Sequence, residues 1–91
     1  MDTPNPFSWD EPKSEECLAL RGFDFAYAAR LFDGQAFERI DGRHDYGEVR
    51  IQALGQIDGK AFVVVYTQRG ETKHIISARR ARQKEWDKWL K

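Results

Sequence analysis

The chain has a single cysteine, Cys17, three prolines among its 91 residues, and no apolar run near the roughly 18 residues that a membrane span needs. One cysteine excludes an intrachain disulfide and a cysteine-based zinc site, and it suits a reducing cytoplasm. The opening MDTPNPFSWDEP is acidic and proline-rich and does not read as a secretion signal. Glycine-rich phosphate loops, Walker motifs, zinc fingers and helix-turn-helix signatures are all missing. Cys17 falls on an apolar helix face and no serine has an elbow-type setting, so a nucleophilic triad is not expected. The two histidines, His44 and His74, fall on different predicted strands with no carboxylate at ligand spacing, so neither a metal site nor a cofactor is expected.

Net charge is absent too, since 15 Lys/Arg balance 15 Asp/Glu. The balance conceals a division. Met1 to Glu48 carries 5 Lys/Arg against 11 Asp/Glu, a net −6, whereas Arg69 to Lys91 carries 8 against 3, a net +5. A basic C-terminal quarter keeps nucleic acid open as a partner, although a solvated terminal helix has the same composition.

What is present is enough for one small domain. Residues 1–8 read as a flexible leader, in which Phe7 can dock with Trp9 as a short strand, and 9–91 as a single domain. Asp10 caps a helix with Pro12 in its first turn, running to about Leu20 and stopped by Gly22. Asp24 caps a second, in which Phe25, Ala28, Ala29 and Phe32 recur at i, i+3, i+4 and i+7 before Asp33-Gly34. The period then drops to two. Ala36–Ile40 reads as a short strand, and Tyr46–Leu54 as a half-buried one with Val49, Ile51 and Ala53 inward. Lys60–Thr67 is apolar on both faces, as a central strand should be, and Thr72–Ala78 returns from a turn at Arg69-Gly70. A final helix from about Arg82 docks by Trp86, Trp89 and Leu90. The expected class is α+β: two N-terminal helices, an antiparallel sheet of about four strands and a C-terminal helix.

Three groups carry potential chemistry. Tyr46, Glu48 and Arg50 share a strand face, where a Glu–Arg pair is either a solvated ion pair worth under ~1 kcal/mol or a carboxylate tuned by arginines. Tyr66 ends the central strand, where a hydroxyl emerges at the edge of the core. Arg79 and Arg80 leave the last strand on opposite faces, so at most one shares the surface of Arg50. Arginines, a tyrosine and a glutamate on a sheet suit metal-independent RNA cleavage by the neighbouring 2′-hydroxyl. That reaction needs a base, cations around the phosphorane and an acid at the departing oxygen.

The motifs resemble one family across about Trp9 to Trp89. They are Trp9-Asp10-x-x-Lys13, Gly22-Phe23-x-Phe25-x-x-Ala28, Asp41-x-Arg43-x-x-Tyr46-Gly47-Glu48-x-Arg50, Val64-Val65-Tyr66-Thr67-x-Arg69-Gly70 and Ile75-Ile76-Ser77-Ala78-Arg79. In this order they are similar to the BrnT toxins of type II toxin–antitoxin pairs. The resemblance implies a RelE-like fold, a cytoplasmic ribonuclease that arrests translation, and neutralisation by a BrnA-type ribbon-helix-helix antitoxin through which the pair meets operator DNA. On this reading Glu48 or His44 is the general base, Arg43, Arg50 and Arg79 stabilise the phosphorane, and Tyr66 positions or protonates the leaving group. Lys13, Arg69, Lys73, Arg80 and Arg82 steer RNA. The chain departs from the family pattern at Cys17, where asparagine is common, and at Leu20-Arg21-Gly22, where Lys-His-Gly is common. Those departures leave a second reading: a non-catalytic module that binds the antitoxin and helps repress the operon.

Overall fold

The computed structural model describes residues 6–42 and 47–89. Their order is β1 (Phe7–Trp9), α1 (Glu11–Arg21), α2 (Phe25–Ala28) continued by a 3-10 turn (Ala29–Asp33), β2 (Phe37–Asp41), β3 (Arg50–Ile57), β4 (Lys60–Arg69), β5 (Thr72–Arg80) and α3 (Gln83–Trp89). The class is α+β, but the sheet is five-stranded and mixed, in the order β1-β5-β4-β3-β2. Strands β2 to β5 form an antiparallel meander, and β1 adds to β5 in parallel. Phe7 and Ser8, read as leader, are thus part of the sheet. The Lys73 N–H donates to the Pro6 carbonyl at 2.8 Å, so β1 occupies part of what would otherwise be an open edge.

Local signals explain the helices. Gly22 stops α1 at φ 85° with its N–H on the Leu18 carbonyl, and Asp24 Oδ1 accepts from the Tyr27 N–H at the start of α2. The expected single helix over Phe25–Phe32 is instead one α-turn followed by a 3-10 turn. The reason lies in the spacing of the residues that bury. Phe25, Ala28 and Leu31 are 2%, 0% and 0% exposed and recur every three residues, the 3-10 period, while Phe32 is only half-buried.

β4 lies mid-sheet, as its two apolar faces required. Phe62, Val64 and Tyr66 pack under α1 and α2, while Val63 joins Leu54 and Ala81 beneath Trp86 and Trp89 of α3. The second face also explains a shift in β3. The expected strand Tyr46–Leu54 is observed as Arg50–Ile57, with Val49 59% exposed and Gln52 and Leu54 buried. Alternation alone treats the Gln52 face as solvent, but here Gln52 is covered and its Oε1 accepts from Arg39 Nε at 3.0 Å. Tyr46 and Leu90, in the expected strand and helix, lie outside the described residues.

A β-bulge sets which arginine faces which way. Val65 pairs with Ser77 but Tyr66 pairs with Ile75, so Ile76 is the extra residue of β5. Without it Ile75, Ser77 and Arg79 would share a face. With it, Ile75 and Ala78 both meet the α1/α2 core, and Arg79 turns to the other side.

Candidate active face of the sheet

α3 covers only one end of the second face. There Trp86 meets Phe37 edge-on at 6.2 Å, the Arg39 guanidinium lies 3.9 Å from the Trp89 ring centroid, and Arg79 Nη1 pairs with Glu85 Oε1 at 3.0 Å. At the opposite end the strand registers bring polar residues into one row. Asp41 pairs with Arg50, Thr67 follows on β4 one step beyond the Ile51–Tyr66 pair, His74 pairs with Thr67, and Ser8 pairs with His74. Five strands spaced by about 4.8 Å make this row roughly 20 Å wide.

Each member is held from below. Thr67 is 2% exposed and its hydroxyl donates to the Val49 carbonyl at 2.7 Å, tying the approach to β3 onto β4. Asp41 is 8% exposed, and Arg50 and His74 are half-buried. Arg69 Nη2 reaches Glu48 Oε1 at 3.4 Å, which places a carboxylate and a guanidinium beside the row. His74 Nδ1 lies 2.8 Å from Ser8 Oγ, leaving Nε2 to exchange a proton. Burial lowers the His74 pKa, and Arg69 and Lys13 push it the same way against Glu48 and Asp10.

That lowering has a stability consequence. The unfolded chain, with His74 at its ordinary value of 6.5, takes up the proton before the folded protein does. Stability is therefore fully present above 6.5 and is lost as pH falls through the lower folded value. Urea midpoints measured between about pH 7 and pH 5 should fall more steeply for the natural chain than for His74→Gln. Parallel pH profiles for the two proteins would show that His74 is not the group responsible.

The structure divides the sequence-derived site. Glu48 and Arg50 come together at the uncovered end, and Arg69 joins them. Arg79 shares their face but pairs with Val63, four residues along β4 from Thr67, or roughly 13 Å away. Tyr66 is on the other face, 3% exposed. Its hydroxyl donates to Glu38 Oε2 at 2.6 Å and its ring meets Phe32 edge-on at 5.4 Å. Burial, then Glu38, drive its pKa far above the ordinary phenol value, so it holds its proton. Lys73 lies over the Phe32 and Tyr66 rings, Arg80 over Phe62, and Lys13 and Arg82 are exposed. Arg43 and His44 lie outside the described residues.

Sequence reasoning missed His74, Thr67 and Ser8. A signal for the first pair was present, because a two-residue turn at Gly70-Glu71 makes Arg69 and Thr72 partners, and counting back places Thr67 opposite His74. Cys17 is buried with Sγ directed at the Ala78 carbonyl at 3.7 Å, and burial raises its pKa, which suits packing rather than nucleophilic chemistry. Among the described residues no group of three or more His, Cys, Asp or Glu is placed to hold a metal ion, and no helix is long and apolar enough to cross a membrane.

Among known families, the one described as "Ribonuclease toxin, BrnT, of type II toxin-antitoxin system" matches the chain over residues 9–85. No curated protein matches the chain.

Proposed function

We propose that this chain, which belongs to the BrnT family of ribonuclease toxins of type II toxin–antitoxin systems, cleaves RNA internally at the uncovered end of its sheet. The observation that carries this reading is the cross-strand row of Arg50, Thr67 and His74 flanked by Glu48 and Arg69. A nucleic-acid phosphate laid across the row meets guanidinium groups on a rigid support, which is where charge on a phosphorane is best stabilised. Glu48 takes the 2′-hydroxyl proton, with Arg69 setting its direction. Arg50 neutralises the phosphorane. The departing 5′-oxygen needs that proton back. His74, neutral near pH 7, relays it: Nε2 accepts the proton from Glu48 and the resulting imidazolium gives it to the leaving group. Guanidinium groups supply the charge stabilisation that a metal would provide, which supports a metal-independent reaction.

Arg43 and His44 stay in this reading on their sequence pattern. Tyr66 does not enter it, because its hydroxyl is engaged on the other face. Two helical elements on one face of an antiparallel meander and one short helix on the other agree with a RelE-like arrangement. Membership of a type II family implies a protein antitoxin, and the acidic first half suits a basic arm of a BrnA-type ribbon-helix-helix partner in the cytoplasm.

The test is direct. Folded protein in excess EDTA should cut a single-stranded RNA and leave its all-deoxy counterpart intact, with 2′,3′-cyclic phosphate ends on the products. Intact RNA in the presence of demonstrably folded protein would favour the non-catalytic module. Cleavage that needs added divalent metal would overturn the metal-independent mechanism.

A further inference from the structure

The opposite face of the sheet carries a second concentration of positive charge, outside the row just described. Between the end of α1, the start of α2 and the near ends of β4 and β5 lies a cavity of about 400 Å³. Arg21, Lys60 and Arg80 line it together with Asp24, and Phe62 forms part of the wall. Four cations stand in this neighbourhood, but only Arg30 is neutralised, by Asp58 at 3.0 Å. Among the described residues Arg21, Lys60 and Arg80 enter no ion pair; Arg80 only lies 5.3 Å from the Phe62 ring centroid. Asp24, the one carboxylate in the lining, already accepts from the Tyr27 N–H.

The site is also pre-arranged. Lys60 follows the β3–β4 turn, in which Asp58 and Gly59 adopt φ 52° and 78°. That turn is fastened to α2, because the Tyr27 hydroxyl donates to Asp58 Oδ2 at 2.8 Å and Arg30 Nη2 meets Oδ1. The Tyr27 hydrogen bond, with Arg30 and Lys60 nearby, lowers the Asp58 pKa, so the fastening persists over the physiological range. Arg21 ends α1 immediately before Gly22, whose left-handed turn fixes the exit of the chain. Arg80 is placed by the bulge, which turns it onto this face.

We infer that this cavity is a binding site for a phosphate group, gripped by Arg21, Lys60 and Arg80. Three cations around one concavity repel one another until an anion arrives. A tetrahedral, multiply charged oxyanion can accept from all three, whereas a carboxylate has two oxygens and one charge. The site is distinct from the Arg50–His74 row and does not depend on the cleavage reading. Its phosphate belongs either to an RNA strand or to a free nucleotide.

Backbone amide NMR separates these cases without any cleavage. Inorganic phosphate, 5′-AMP and a non-cleavable 2′-O-methyl oligonucleotide are each titrated into the protein. Phosphate should shift amides of residues 21–24 and 58–62 saturably, and Lys60→Gln or Arg80→Gln should each weaken binding about tenfold. Both side chains are exposed, so the variants should fold; circular dichroism checks this. Stronger shifts with the oligonucleotide than with 5′-AMP identify RNA as the source, and the reverse identifies a free nucleotide. The inference fails if none of the three probes moves these amides, or if glutamate moves them as strongly as phosphate.

Discussion

Arg50→Ala should lower RNA cleavage by about two to three orders of magnitude, the usual cost of removing one group that stabilises transition-state charge. Arg79→Ala should leave cleavage within about threefold and act on stability instead. The two arginines share a sheet face, so charge alone does not separate them; position does. Arg50 stands in the row with Thr67 and His74, while Arg79 is roughly 13 Å along the strand under α3, held by Glu85. That ion pair joins half-exposed side chains, so its loss should cost under about 1 kcal/mol. A melting temperature a few degrees lower is the expected signature.

Arg50 is half-buried, and its truncation can disturb the neighbouring strand ends. Arg50→Gln keeps most of the side-chain volume without the charge, and Arg50→Lys keeps the charge without the planar fork. Gln should be nearly as inactive as Ala, and Lys should recover part of the activity. Single-turnover cleavage with circular dichroism on each variant reads both effects. Equal losses for Arg50→Ala and Arg79→Ala, in folded proteins, would move the reacting phosphate to the α3 end and overturn this placement.

That contrast shows which parts of the molecule are legible in the sequence. Gly22 and Asp24 mark helix ends through local hydrogen bonding, and Asp10 stands at the N-cap of α1 without a side-chain cap bond; the structure puts the boundaries at all three. The double-sided apolar run around Phe62–Tyr66 marks the middle of the sheet for an equally simple reason. What escapes a linear reading is whatever depends on a partner strand. Alternation cannot reveal the extra residue Ile76, so it cannot say that Arg79 and Ile75 face apart. Nor can it show that α3 covers Leu54, that Arg39 donates to the buried Gln52, or that β1 pairs in parallel with β5. The candidate site follows the same division. Glu48, Arg50 and Arg69 are visible as charges near strand ends, but their meeting with His74 is a consequence of register. Tyr66 looked available because it ends an apolar run, yet the strand face that holds it is the one covered by Phe32 and bonded to Glu38.

The helices and the sheet meet most tightly at one contact, and the largest stability effect should arise there. Leu31, fully buried in the 3-10 turn, sits over Gly55 of β3. A Cβ on Gly55 would stand 2.8 Å from Leu31 Cγ, 3.0 Å from Cδ2 and 3.2 Å from the Gln35 carbonyl oxygen. Glycine is needed here for close approach, since its backbone lies outside the left-handed region. Leu31→Ala removes a fully buried side chain and should cost about 2–5 kcal/mol, lowering the melting temperature by roughly 10–25 °C. Gly55→Ala overfills the same place and should cost about 1–3 kcal/mol. The double variant decides whether this contact is the cause. With Leu31 shortened, the new methyl enters the vacated space and only the Gln35 carbonyl still crowds it. The Gly55→Ala penalty should therefore shrink by at least ~0.5 kcal/mol in the Leu31→Ala background, as chemical denaturation of all four proteins would show. Strictly additive penalties would mean that the glycine is required by something other than Leu31. The same cycle tests the support of the active row, because Gly55 and Arg50 lie on one strand. A cycle with large coupling and little change in cleavage by the surviving folded fraction would show that this packing sustains the sheet without tuning its chemistry.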